Sequence, residues 1–552
     1  MLGLRRIATV TCVVLLVGGT NACTAGPGPR PNADPNAAAE LAARLGDADL
    51  VGQVLMPYAY GNDASNVSSA SAAANRAYAG VSTPAEMVAK YRLGGLILVG
   101  TSADQTGAGT SNVESAAQVR VLTTGLQAQA GRLPAQVPML IATDQEHGVV
   151  TRVRTGVTLL PGALAFGAAA DPALTEAAWR ATGAELAAMG ITVDFAPVAD
   201  VLGEDGGFIG SRSFGSAPDA VSVQVSAAVR GLRSSGVAAT LKHFPGHGHT
   251  ITDSHEQLPV LPQSREALGT DDLPPFVAGI GAGADLVMVG HLDVRAIDPG
   301  VAASFSSKVM IDLLRGQLGF RGVVVSDALN MAPARRYPAG EAAVLAMLAG
   351  TDLLLEPPDL AAAQQGLLDA LRSGRLPRAR LIEAVTRILS LKLRLSGTPQ
   401  PAMSTVDTAE HRATAAAVAG ASVTVLRGAC SGPLLSGPVT VTSSGRADQQ
   451  QARTWLTDAL QARGVSVVPK AGTVVHLIGY RDEATDLSPD AAVTVAIDVP
   501  YLLRSARSPT LLATYSSTRA SMTALAAVLT GAAPAPGRSP VTVTGLPRSA
   551  CG

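Results

Sequence analysis

Between about residue 50 and residue 355 the chain alternates two kinds of apolar pattern. Short runs in which nearly every position is apolar recur eight times, at 53–57, 95–99, 139–143, 192–196, 238–241, 285–289, 322–326 and 352–355. Between most of them lie Ala-rich stretches with apolar residues at helical spacing, among them 175–189, 217–234, 308–318 and 339–349. A strand that is apolar at consecutive positions is buried on both faces, as in a parallel sheet covered by helices. Eight such units predict an α/β fold, a (β/α)8 TIM-type barrel.

The polar residues support the same reading. Asp144 follows the third run, Lys242 and His243 the fifth, His291 the sixth and Asp327 the seventh. A barrel of this kind gathers its chemistry at the carboxyl ends of its strands. Residues 374–396 read as a closing amphipathic helix, and 397–407 (GTPQPAMSTVD) as a linker. Beyond it a second pattern begins, with strand-like runs at 422–426, 439–442, 473–478, 493–497 and 541–544 and helical stretches at 447–462 and 517–530. The barrel is therefore assigned to 41–396 and a smaller layered α/β domain to 408–552.

The first residues read differently. Arg5 and Arg6 precede an apolar run, 7–19, that is too short to span a bilayer as a mature helix. This is the pattern of an export signal, 1–22. Ala22-Cys23 resembles a lipoprotein cleavage box without its usual Leu, so Cys23 is the expected lipidation site; the alternative is secretion after Ala22. The Pro-, Gly- and Ala-rich stretch up to residue 40 is expected to be a flexible tether.

Composition narrows the function. Hydrophobic residues make up 47% of 552, aromatics only 3%, and 42 basic residues balance 43 acidic ones. No charge excess points to nucleic acid. Of four cysteines, Cys12 leaves with the signal and Cys23 is taken by lipid. Cys430 and Cys551 remain, and export makes a disulfide between them the expectation over two unrelated thiols.

The segment richest in chemistry is Lys242-His243-Phe244-Pro245-Gly246-His247-Gly248-His249, continuing to Asp253-Ser254-His255. Its Gly and Pro make it a loop, and loops on a rigid barrel carry function. A metal is one use for clustered His and Asp. The HxHxDH pattern would need Asp at 251, where Ile251 stands, and no HExxH or Cys pair is present. No metal or other cofactor is expected. The other use is acid/base catalysis: Asp253, two residues before His255, can hold the imidazole and fix its tautomer. Taken alone, that spacing fits a structural His in a polar loop better than a catalytic one.

These residues, with the later VVVSDALNM, resemble glycoside hydrolase family 3, and in particular its β-N-acetylglucosaminidase branch. The resemblance covers about residues 45–400, with a weaker likeness beyond. It implies a retaining exo-β-N-acetylhexosaminidase, with Asp327 as nucleophile, His255 as acid/base and Asp253 as its partner. It also implies sugar contacts from Lys242, His243, Asp144, Arg152 (in DQEHGVVTR) and Arg212 (in GSRSFG). Where the family reads D-x-E-G-G-R-V-x-R, His147 replaces a Gly and Val149 an Arg, which puts the contacts of that loop in question. His249 stands where many members carry Asp.

The implied substrates are N-acetylglucosaminides, cell-wall muropeptides among them. The implied location is the outer face of the cell membrane, through a lipid anchor. Two alternatives stay open: a phosphorylase, since an imidazole does not repel phosphate as a carboxylate would, and a sugar-binding lipoprotein without activity.

Overall fold

All eight apolar runs become parallel strands: β1 (Leu55–Met56), β2 (Gly95–Leu98), β3 (Leu140–Thr143), β4 (Val193–Asp194), β5 (Ala238–Phe244), β6 (Leu286–Val289), β7 (Val323–Ser326) and β8 (Leu354–Leu355). The structure, a computed structural model, describes residues 35–100 and 111–552. Arg5, Arg6, Cys12, Cys23 and the tether up to residue 34 lie outside the described residues.

Strands β2 to β7 pair in chain order in one six-stranded sheet, and β1 pairs with β8, Leu55 opposite Leu354. Backbone bonds complete the ring. Ile97 N–H donates to the Pro57 carbonyl at 3.0 Å, and Leu353 N–H to Val324 at 3.0 Å. The result is the closed eight-stranded α/β barrel that the apolar pattern predicts. β5 runs three residues past its predicted end because Phe244, fully buried, still pairs with Val289. That extension places Lys242 and His243 on the strand itself.

The closing helix, Arg378–Ser396, is held by charge as well as by its apolar face. Arg380 and Arg387 each approach Asp352 at 3.0 Å, and Arg394 approaches Asp285 at 2.5 Å. Both carboxylates are buried just before a strand, where an unpaired charge would be costly. The expected tether ends sooner than its composition suggests. Helix Pro35–Arg44 begins within it, with Pro in the first turn and good helix formers after. Ala38 and Ala42 are fully buried on its inner side.

The second sheet contains β9 (Thr424–Arg427), β10 (Val439–Ser443), β11 (Thr473–Ile478), β12 (Val493–Ala496) and β13 (Thr510–Ala513), in the order β9-β13-β12-β11-β10. All pair in parallel except β9 with β13. One predicted strand is corrected here. Residues 541–544 form none; Val541 and Val543 are buried but pair with no strand. The fifth strand is β13.

The two sheets do not stand apart. The segment 397–407 runs beside helix Pro172–Ala188, where Asp407 N–H donates to Glu185 at 3.0 Å. One apolar cluster joins Leu164, Val198, Leu202 and Ile209 of the barrel to Ile478, Tyr501, Leu503, Leu511 and Tyr515. Cys430 and Cys551 are joined as a disulfide, with Cα atoms 5.4 Å apart. No helix among the described residues is long and apolar enough to cross a membrane.

Candidate active site

At the carboxyl ends of the barrel strands lies a cavity of about 350 Å³. Its lining includes Asp144, Arg152, Arg212, Lys242, His243, His255 and Asp327. Seven residues singled out from the sequence, spread over 183 positions of chain, thus face one space. Asp253 stands just behind His255.

One wall is a lattice of alternating charge. Lys242 Nζ lies 2.7 Å from Asp144 Oδ1 and 2.6 Å from Glu146 Oε1. Arg212 grips Glu146 with two bonds, Nε to Oε2 at 2.7 Å and Nη2 to Oε1 at 2.8 Å. Arg152 Nη2 is 3.3 Å from Asp144 Oδ2. Burial pushes the Glu146 carboxyl up, but Arg212 and Lys242 outweigh it and hold the group well below the usual carboxylate range. Burial pushes Lys242 down, and Asp144 and Glu146 reverse that. Charge-assisted bonds of this kind fix side chains tightly. The wall presents fixed donors and acceptors, as a polyhydroxylated ligand requires.

His243 joins the lattice at its edge. Its Nδ1 lies 2.8 Å from Asp200 Oδ2, and its Nε2 lies 3.3 Å from Arg212 Nη2. A guanidinium can only donate, so Nε2 is the acceptor and Nδ1 carries the proton toward Asp200. Asp200 also accepts the backbone N–H of His243 at 3.1 Å and of His247 at 2.8 Å.

Asp327 follows β7 and is nearly buried. Its backbone N–H donates to Val289 at 3.0 Å, and its Oδ1 accepts the Ala328 N–H at 2.8 Å. Oδ2 carries no hydrogen bond among the described residues. Burial pushes this carboxyl up, but His291, His243 and the Ala328 amide hold it below its ordinary value. His291, a strand-end residue, lies behind rather than in the cavity. Its Nε2 bonds the Ala328 carbonyl at 3.0 Å and its Nδ1 the Ser304 hydroxyl at 2.6 Å, bracing the backbone that carries Asp327.

His255 sits on the loop after β5, its side chain 64% exposed. Asp253 Oδ1 accepts both its backbone N–H, at 2.8 Å, and its Nδ1, at 2.7 Å. The spacing of two closes a tight turn that fixes the ring and leaves Nε2 for chemistry. Burial pushes Asp253 up, but the two bonds from His255 outweigh it and hold the carboxyl below its usual value.

The profile of the glycosyl hydrolase family 3 N-terminal domain matches residues 52–391. The chain belongs to glycosyl hydrolase family 3. It is a glycoside hydrolase. A beta-hexosaminidase of Stenotrophomonas maltophilia is 43% identical over 251 residues, 44% of this chain and 73% of that one. Beta-hexosaminidase A of Pseudoalteromonas piscicida is 34% identical over 374 residues, 62% and 60% of the two chains. Among solved structures, a family 3 beta-N-acetylglucosaminidase from Paenibacillus sp. str. FPU-7 superposes with a TM-score of 0.79 at 32% identity, covering 91% of this chain and 99% of that one. Its resemblance extends over both sheets of this glycosidase.

The departures from the family pattern fall away from the cavity. His147 is buried with its Nε2 2.8 Å from Thr182 Oγ1 and its ring edge-on to Trp179. Burial pushes it down to about 3, so it is a neutral core residue. Val149 is exposed. His249 bonds Asp272 at 2.8 Å and anchors the loop of His255 from below.

Three cavity or support residues of the glycosidase escape a reading of the sequence. Glu146 has a usable signal, since it stands two positions after Asp144 and so on the same face of an extended segment. Glu356 has one too, as the polar residue that directly follows the eighth strand. Asp200 has none: it acts through His243, 43 residues away.

Proposed function

We propose that this glycosidase is a retaining exo-β-N-acetylhexosaminidase that removes terminal β-linked N-acetylglucosamine. The observation that carries the reading is the placement of an ionised Asp327, one oxygen unbonded, in the same cavity as a His255 ring fixed by Asp253. The names of the hexosaminidase and N-acetylglucosaminidase relatives supply the sugar.

In the first step Asp327 Oδ2 attacks the anomeric carbon. The bond to the leaving oxygen breaks as protonated His255 gives that oxygen its Nε2 proton, and a glycosyl ester forms on Asp327. In the second step neutral His255 takes a proton from water, the water oxygen bonds the anomeric carbon, and the ester bond returns its electrons to Asp327. Asp253 accepts from Nδ1 throughout, which stabilises the imidazolium and keeps Nε2 the reacting nitrogen. Asp144, Arg152, Arg212, Lys242 and His243 bind the hydroxyls of the sugar. Muropeptides are the proposed natural substrates, and lipid on Cys23 the proposed anchor at the outer face of the membrane.

Asp327→Asn should keep the fold and lose at least about 10⁴-fold in turnover of an aryl N-acetylglucosaminide, because an amide does not attack. A 2-deoxy-2-fluoro glycoside should trap an ester on Asp327 in the wild type, visible by peptide mass spectrometry. A label on another carboxylate would overturn the assignment. Free N-acetylglucosamine, whether or not phosphate is added, supports hydrolysis; its 1-phosphate would mark a phosphorylase.

A further inference from the structure

The end of β8 holds a carboxyl group that the scheme above leaves unused. Glu356 lines the same cavity as Asp327 and Lys242. Its backbone has φ of 45°, in the left-handed region where a residue with a side chain is strained. Strain of this sort persists where the surroundings impose it, and it gathers at functional sites. Here the next residue is tied down, since the Tyr78 hydroxyl donates to the Pro357 carbonyl at 2.8 Å. The Tyr78 ring in turn stacks on Tyr58 at 4.6 Å, just after β1.

The side chain is held at one end only. Glu356 Oε2 accepts the Asn330 amide at 2.8 Å. Oε1 carries no hydrogen bond among the described residues. The groups that face this carboxyl are Asp144 after β3, Arg152 on the hairpin beyond it, Asp327 and Asn330 after β7, and Tyr58 and Tyr78 beside β1. Burial, first, and then Asp144 and Asp327 push the group up to about 7, against Asn330 and Arg152. At mildly acid pH it is therefore a neutral acid with a proton to donate, on a wall otherwise made of ions.

We propose that Glu356 is a further sugar-contacting residue, whose Oε1 hydrogen-bonds a hydroxyl of the terminal sugar and helps set which sugar the cavity accepts. The inference rests on the glycosidase reading of this cavity. A neutral acid fits a hydroxyl as donor and acceptor, without adding a third negative charge beside Asp144 and Asp327. A sugar bearing a carboxylate at that place would stand against Glu356, Asp144 and Asp327 and is disfavoured.

The test is steady-state kinetics of the full chain on an aryl N-acetylglucosaminide between pH 5.5 and 8.5, with N-acetylglucosamine as competing product. Glu356→Ala should raise KM and the inhibition constant of N-acetylglucosamine by about tenfold at pH 6, the scale of one lost hydrogen bond in a buried site. Glu356→Gln keeps a donor and an acceptor at the same reach. It should recover most of that loss, and the wild type's advantage over it should shrink as pH rises through about 7. An alanine variant with unchanged KM and product inhibition would overturn the proposal, as would a wild-type to glutamine ratio that is flat with pH. A wild type inert on the aryl N-acetylglucosaminide would instead overturn the activity reading itself.

Discussion

Asp194, at the end of β4, is the clearest case of a single side chain with a cost that depends on pH. It is fully buried; Oδ1 accepts the Gln145 N–H at 2.9 Å, and Oδ2 is buried with no partner. Burial is the main cause that pushes it up to about 8. Its folded value lies above its unfolded value, so its contribution to stability is fully present below about pH 4 and is lost as pH rises through 8. Asp194→Asn should therefore gain on the wild type in melting temperature between pH 5 and pH 8.5. A melting difference independent of pH would sink this account. Such a residue is not legible in the sequence, because its burial depends on strands 50 residues away on either side. Asp327, His255 and Lys242 were legible because each ends or follows an apolar run or sits in a dense motif. Glu146 carries a signal too, inside DQEHGVVTR and two positions after Asp144, and Glu356 follows an apolar run without a motif around it.

Among the elements, the barrel strands are readable because each is buried on both faces and so leaves a run with no polar interruption. The second sheet is harder. β13 is a run of four residues, Thr510 to Ala513, with Ser and Pro just before it, while 541–544 has the composition of a strand but buries Val541 and Val543 without pairing to one. The loop after β5 shows what an element needs beyond pattern. Gly248 lies so close to the backbone after β4 that a Cβ there would meet the Val201 carbonyl oxygen at 1.9 Å. Gly248→Ala must therefore shift the loop that carries His255. Its kcat/KM should fall about 10²-fold or more on alkyl glycosides, whose leaving groups need a proton, and much less on activated aryl glycosides. His255→Ala should give the same contrast. Equal losses on both substrates would mean that the loop serves the fold and not proton transfer.

At the scale of the whole molecule, the disulfide and the apolar seam act together. Cys430 and Cys551 close a loop of 121 residues. By chain-entropy reasoning such a crosslink stabilises by up to about 5 kcal/mol. Cys551→Ser should lower the melting temperature under non-reducing conditions and leave it unchanged from wild type once both are reduced. Equal melting in both conditions would show that the bond does not form in solution. The stretch just before Cys551 also returns to the barrel. Arg538 N–H donates to Ala168 at 3.1 Å, and Ser216 N–H donates to the Pro540 carbonyl at 3.1 Å.

That return path sets an order of events. Every strand of both sheets, and most of the seam between sheet and barrel, is made before residue 516, yet the last piece of that seam comes more than 20 residues later. A growing chain can thus close its barrel and pair its second sheet while the seam between them still lacks its last cover. The apolar faces of Leu164, Val198 and Ile209 have their last cover only when residues 538–551 arrive. A chain stopped at residue 536 would keep every strand and lose that cover, so interruptions late in synthesis should cost stability although no strand is missing.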